Sequence, residues 1–224
     1  MTAGSRIFAI GDVHGCCDAL AALLAQIAPR AEDMVVMLGD YVDRGPDSAG
    51  VIDLLIEWSG RTQMIFLRGN HEVMMLNSRT SSEQRHFWRE CGGAETMESY
   101  GGSLNNVPQS HWDFLLATAP YFETDKFFFV HANYQYDLPL KDQPPLFLYW
   151  EHLRPAPPPQ HENGKQAFVG HTPQKDGLPG DFGHLIAADT FCVGGGKLTA
   201  VECNLLECFQ VDRDGTEPSN FWLR

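Results

Sequence analysis

The chain has 224 residues, 43% of them hydrophobic, and a formal net charge of -13. That length and apolar content suffice for a buried core and exclude a disordered chain. The acidic balance excludes a general nucleic-acid binder, which needs spread lysines and arginines to meet phosphate backbones. No apolar run is long enough to cross a bilayer, so no membrane partner is expected. Only Met1 to Ser5 precede the first strand-like run, which leaves no room for a secretory leader, and a cytoplasmic location is expected. The cysteines at 16, 17, 91, 192, 203 and 208 form no C-x-x-C pair and are read as free thiols.

In chain order, Arg6–Ile10 reads as a strand, and a helix comes next over Asp18–Ala28. Asp18 is the expected N-cap, Leu20, Leu23, Leu24 and Ile27 share one face, and Pro29 marks the stop. Met34–Leu38 is a second strand, Ser48–Trp58 a second amphipathic helix, and Met64–Leu67 a third strand. This β-α-β-α-β order predicts an α/β fold with a parallel sheet. From Glu72 to about Pro120 the pattern changes to helical pieces, over Glu83–Glu90, Glu95–Tyr100 and His111–Ala117, read as a mostly helical insertion within a single domain spanning 1–224. Strand signals then return at Phe127–Val130, Ala167–Val169, Leu185–Ala188, Leu198–Val201 and Glu207–Val211, which suggests a second sheet. Pro155–Gly164 reads as an exposed proline-rich loop, and Gly194-Gly195-Gly196-Lys197 as a turn rather than a phosphate loop.

The chemistry lies where the strands end. They run into Gly11-Asp12-Val13-His14-Gly15, Gly39-Asp40-Tyr41-Val42-Asp43-Arg44-Gly45, Arg68-Gly69-Asn70-His71-Glu72, His131 and Gly170-His171. Open α/β sheets place their ligands at the carboxyl ends of strands. Taken singly, such an Asp is an N-cap, such a His a hydrogen-bonded core residue, and Arg44 or Arg68 a surface charge. Five such ends in one chain are not accounted for that way. Carboxylates, imidazoles and one amide oxygen, without clustered thiolates, suit Mn, Fe or Zn. The donors outnumber what one catalytic ion needs, so a pair sharing a carboxylate is expected.

These motifs resemble the signatures of the PPP-type serine/threonine phosphatases, within the calcineurin-like metallophosphoesterases, and the chain is similar in size to the small bacterial and phage members. Val130-His131-Ala132 and Gly170-His171-Thr172 resemble the two later motifs, in the same order. The resemblance implies a central β-sandwich of two mixed sheets flanked by helices. It implies that Asp12 and His14 bind a first metal, that Asp40 bridges, and that Asn70, His131 and His171 bind a second. It implies that His71 is a general acid held by Asp43, and that Arg44 and Arg68 contact the substrate phosphate. Two places depart from the family. H-A-G is replaced by His131-Ala132-Asn133, and W-x-R by Trp150-Glu151-His152, with Arg154 the candidate for the second phosphate arginine.

The implied reaction is attack of a metal-bridging hydroxide on a phosphomonoester, with two divalent ions, manganese first among them. Phosphoserine and phosphothreonine proteins or peptides are the expected substrates, with small phosphoesters or nucleotides as further possibilities. The competing reading is a symmetrical diadenosine tetraphosphate hydrolase. Those enzymes typically lack the equivalent of Asp43 and read G-N-H-D, so Asp43 and Glu72 favour the monoesterase. A non-catalytic metal-binding module would be expected to have lost ligands, and none is missing.

Overall fold

Successive side chains along a strand point to opposite faces, and in the inner strands both faces are apolar and bury against different partners. The computed structural model describes residues 4–153 and 156–223. Strands β1 (Ile7–Ile10), β2 (Met34–Met37) and β3 (Gln63–Phe66) are parallel neighbours, linked by helices α1 (Cys17–Ile27) and α2 (Ser48–Trp58). Helices α3 (Asn70–Asn77), α4 (Ser82–Trp88), α5 (Ala94–Ser99) and α6 (Gln109–Ala117) come next. The second sheet is built from β4 (Tyr121–Glu123), β5 (Phe127–Val130), β6 (Gln166–Val169), β7 (Gly180–Asp181) and β8 (Leu185–Ala187), with α7 (Pro145–Tyr149) between β5 and β6. Strands β9 (Lys197–Glu202), β10 (Glu207–Asp212) and β11 (Ser219–Trp222) return to the first sheet. The orders are β11-β10-β9-β1-β2-β3 and β4-β5-β6-β8-β7, both mixed.

Period two separates the layers. Phe8, Ile10, Val35 and Met37 face the helices and meet Leu20, Leu24, Val51 and Leu55. Ala9, Val36 and Val201 face the other sheet and meet Phe129, Phe168 and Ile186. Phe128, Val130, Ala167 and Val169 turn outward under Leu148 and Leu153. The result is a sheet-on-sheet sandwich covered by helices. Each fully buried side chain of this kind contributes about 1.5–3 kcal/mol, which anchors the strand ends firmly.

Helix α2 coincides with the expected Ser48–Trp58 and β5 with Phe127–Val130. Helix α1 differs at its start. Cys16 occupies the N-cap without a side-chain bond, and Asp18 lies in the first turn, where a carboxylate still favours the helix dipole. Strands β4, β7 and β11 have no counterpart in the sequence pattern. They are short or edge strands with little burial, so they carry no alternating signal. The region from Glu72 to Pro120 is helical as expected, although α3 already begins at Asn70 inside the third motif. The described part of the proline loop is pinned by Tyr134, whose hydroxyl donates to the Pro159 carbonyl, and by the buried His161 ring.

Candidate metal and phosphate site

The carboxyl ends of β1, β2, β3, β5 and β6 meet at one edge of the sandwich. The two sheets touch there directly. The Nδ1–H of His131, after β5, donates to the Leu38 carbonyl after β2 at 2.8 Å. The backbone N–H of His171, after β6, donates to both carboxylate oxygens of Asp12 at 3.1 Å. Tight turning at this edge puts His14, Asp40, Asp43, Arg44 and His171 in the left-handed region, with φ of 44°, 51°, 74°, 67° and 61°. Non-glycine residues there cost roughly 1–2 kcal/mol each, so the surroundings must hold them.

Glu72 is one such holder. Fully buried, its Oε2 accepts the backbone N–H of Asp40 and of Gly69, both at 2.8 Å, while Oε1 accepts Tyr41 N–H at 2.8 Å and Val42 N–H at 3.4 Å. Gly69 is required beside it. A Cβ at that position would lie 2.1 Å from Asp40 Oδ1.

The histidine tautomers are set by their fixed nitrogens. His14 Nδ1 donates to the Val42 carbonyl at 2.9 Å, which leaves Nε2 as an acceptor, 3.0 Å from Arg44 Nη1 and 3.5 Å from Asp40 Oδ2. His131 Nδ1 is taken by Leu38, so Nε2 is bare at 3.4 Å from Asp40 Oδ1 and 3.1 Å from Asn70 Oδ1. His171 Nε2 donates to the Trp150 carbonyl at 3.0 Å, leaving Nδ1 bare at 3.1 Å from the same Asn70 oxygen. At His131 and His171 lone pairs therefore converge on lone pairs, an arrangement that a cation resolves. Burial first of all depresses these imidazoles, His14 and His171 to about 3, which keeps them neutral as ligands must be.

The donor atoms fall into two tight groups, His14 with Asp40 and His71, and Asp40 with His131 and His171. Asp40 belongs to both, the position a bridging carboxylate requires. Burial would raise its pKa, but His131, His71, His14 and His171 hold it below the usual carboxylate range. Asp12 stands beside these groups rather than within either. Burial, then Asp189 and Asp40, drive its pKa well up. Three buried carboxylates sharing an edge need positive charge, and among the described residues the side chains supply little beyond Arg44. The residues present fit divalent metal.

His71 is held differently. Its Nδ1 meets Asp43 Oδ2 at 2.7 Å, and its Nε2 is buried without a partner among the described residues. Burial alone would lower its pKa, but Asp40 and the Asp43 hydrogen bond turn the net shift upward. A cleft of about 240 Å³ opens over this centre, lined by Asp40, Arg44, Asn70, His71, Trp150, His152, His171 and Pro173.

The calcineurin-like phosphoesterase family pattern matches residues 5–203. The chain belongs to the calcineurin-like phosphoesterases. Serine/threonine-protein phosphatase 1 of Salmonella typhimurium is 41% identical over 89 residues, which are 39% of this chain and 39% of that protein. A symmetrical bis(5'-nucleosyl)-tetraphosphatase of Pectobacterium carotovorum is 40% identical over 70 residues, 31% of this chain and 24% of that protein. The matched stretches thus span well under half the length of these curated relatives. A solved structure of a candidate diadenosine tetraphosphatase superposes with a TM-score of 0.70 at 19% identity, over 94% of both chains, which shows a shared fold.

In this phosphoesterase Arg68 is placed differently from the expectation. Its guanidinium donates to the carbonyls of Leu115, Leu116 and Thr118 and to the Thr118 hydroxyl, closing the end of α6 instead of lining the cleft. The unsatisfied carbonyls of a helix terminus are a strong competitor for a nearby arginine. Arg154 lies outside the described residues. His152 lines the cleft, stacked on His171 with ring centroids 4.4 Å apart. Asn133 fastens that segment by donating to the His152 carbonyl at 3.2 Å.

Asp189, just beyond β8, is a site residue that the sequence reasoning missed. Burial, first of all, raises its carboxyl to about 6, and it bears on Asp12. The rule that flagged the other strand ends applies equally to Ala188-Asp189 after the expected strand Leu185–Ala188. Among the described residues no helix is long and apolar enough to cross a membrane, and all six cysteines are free thiols.

Proposed function

We propose that the protein is a phosphomonoesterase acting on phosphoserine and phosphothreonine in proteins or peptides. In this reading Asp12, His14 and Asp40 hold one divalent ion, and Asp40, Asn70, His131 and His171 hold a second, with manganese the first candidate for both. The observation that carries the reading is the His71–Asp43 pair, 2.7 Å apart, with His71 within one of the two donor groups that share Asp40.

When bound, the ions supply a nucleophile at neutral pH by acidifying water, and they neutralise phosphate charge. The chain does the rest. Arg44, whose Nη1 lies 3.0 Å from His14 Nε2 on the cleft wall, binds the phosphate oxygens. The alkoxide of serine or threonine is a poor leaving group and needs a proton. His71 gives it from Nε2, while Asp43 accepts the Nδ1–H, orients the ring and stabilises its cationic form. The contrast among the four site histidines supports this division. Three are depressed and suited to ligate, and His71 alone is raised and suited to carry a proton.

A second reading, hydrolysis of dinucleoside polyphosphates, is favoured by the similarity to the Pectobacterium tetraphosphatase. Glu72, whose presence in the motif weighs against it, is buried on backbone amides and does not itself line the cleft, so its identity speaks to loop geometry more than to substrate. The test is a panel of phosphoserine and phosphothreonine peptides and diadenosine tetraphosphate, with the manganese-loaded chain and with EDTA. Metal-dependent release of phosphate from the peptides is expected. Rapid release of ADP from the dinucleotide with inert peptides would establish the second reading. Absence of any metal-dependent turnover would refute both.

A further inference from the structure

The helical segment between β3 and β4 reaches the His71–Asp43 pair from behind. Trp88, the last residue of α4, directs its indole Nε1–H at Asp43 Oδ1 and Oδ2, at 3.0 and 2.9 Å. Thr96, in the first turn of α5, donates its hydroxyl to Oδ1 at 2.7 Å. The backbone N–H of Asp43 donates in return to Thr96 Oγ1 at 2.8 Å and to Ser48 Oγ at 3.1 Å. Thr96 has one hydroxyl proton, and Asp43 takes it, so Ser48 is the donor in the 2.9 Å contact between the two hydroxyls. Asp43, Trp88 and Thr96 are all fully buried.

Between α4 and α5 the chain kinks at Gly92, whose φ of 113° is not helical. The Gly92 carbonyl accepts the backbone N–H of Arg44 at 2.9 Å, and a Cβ on Gly92 would come within 2.6 Å of Arg44 Cγ. One segment thus grips both the carboxylate behind His71 and the backbone that carries the phosphate arginine.

We propose that Trp88 and Thr96 are positioning residues for protonation of the leaving group. This rests on the reading of His71 as the acid. A carboxylate is free to rotate about its last side-chain bond, with broad two-fold preference. The Thr96 hydroxyl on Oδ1 and the indole N–H shared between the two oxygens stop that rotation and leave Oδ2 facing His71 Nδ1. The imidazole is then held with Nε2 toward the cleft.

The test compares an alkyl ester (a phosphoserine peptide) with an aryl ester of good leaving group (p-nitrophenyl phosphate), using the manganese-loaded full chain. Trp88→Phe keeps an aromatic ring and removes the N–H. Thr96→Val removes the hydroxyl, and Thr96→Ser retains it. His71→Asn is the reference. General-acid catalysis contributes about 10²–10⁴-fold. Trp88→Phe and Thr96→Val are each expected to lower kcat on the alkyl ester about tenfold more than on the aryl ester, with KM little changed, and Thr96→Ser to restore the wild-type ratio. Equal slowing of both esters by Trp88→Phe and Thr96→Val, with His71→Asn still selective, would overturn this inference alone. Unselective slowing by His71→Asn would remove the acid assignment and the inference together. If Trp88→Phe unfolds at the assay temperature, the Thr96→Val and Thr96→Ser pair decides.

Discussion

Replacing Glu72 by glutamine tests how the strained metal loop is held. The carboxylate accepts four backbone N–H groups, three at 2.8 Å and one at 3.4 Å. In Glu72→Gln the amide fits the space, but one oxygen becomes an NH2 that faces two backbone donors. If the weaker side is lost, one short bond and one long bond go, and the other two lose their charge. Hydrogen bonds to charged groups contribute about 1.5–3 kcal/mol each, so a destabilisation of about 2–4 kcal/mol is expected. For a chain of this size that lowers the thermal midpoint by roughly 10 °C. Asp40 sits in the same loop at φ 51°, so relaxation there also weakens metal retention. The assays are urea unfolding with m-value analysis and metal content after gel filtration. A stability within about 0.5 kcal/mol of wild type, on the order of ordinary surface substitutions, with full metal retention would refute the argument.

Arg68→Ala is expected to cost about 1–2 kcal/mol of stability through the uncapped end of α6, with KM for p-nitrophenyl phosphate unchanged. A large rise in KM without loss of stability would restore Arg68 to the phosphate. Gly69→Ala brings a methyl within 2.1 Å of Asp40 Oδ1, so activity should fall at least about 10²-fold, the cost of misplacing a reacting group by an ångström; near-normal kcat would show that the loop yields. Asp33 is buried. Burial alone would raise its pKa, yet hydrogen bonds from Arg30 and Arg6 hold it below the ordinary value. Its stabilisation is thus present above the unfolded value of about 3.9 and fades as pH falls below that. Asp33→Asn should lose about 2–4 kcal/mol at pH 7 and show a flatter acid limb in unfolding titrations; an unchanged acid limb would contradict the sign. Adding EDTA to the loaded protein should abolish turnover and lower the thermal midpoint, and turnover that persists would remove the ions from the reaction.

The strand ends were legible because burial on both faces writes continuous apolar runs, and a polar residue directly after such a run is conspicuous. Asp12, Asp40, Asn70, His131 and His171 could be gathered on that basis, and the structure does bring them to one edge. Glu72, Trp88 and Thr96 were not readable in their structural roles. Apart from Gly69, three residues before Glu72, their partners lie 30 to 53 residues away, and nothing local in a helix announces which buried carboxylate or amide a side chain will meet. Arg68 failed for a related reason. Adjacency to a motif says nothing about where a long side chain points, and four acceptors at the end of α6 outcompeted the cleft.

The donor set is drawn from both sheets, and the contact between Asp12 and His171 closes a separation of 159 residues. Contacts of that span form late, since chain closure must be achieved before they return any stabilisation. Ions seated there therefore act on the native state more than on the folding transition state. They should slow unfolding while leaving the refolding rate almost untouched. For this chain metal loading would be a brake on opening, and its loss would shorten the lifetime of the folded chain before it changed how quickly that chain is made.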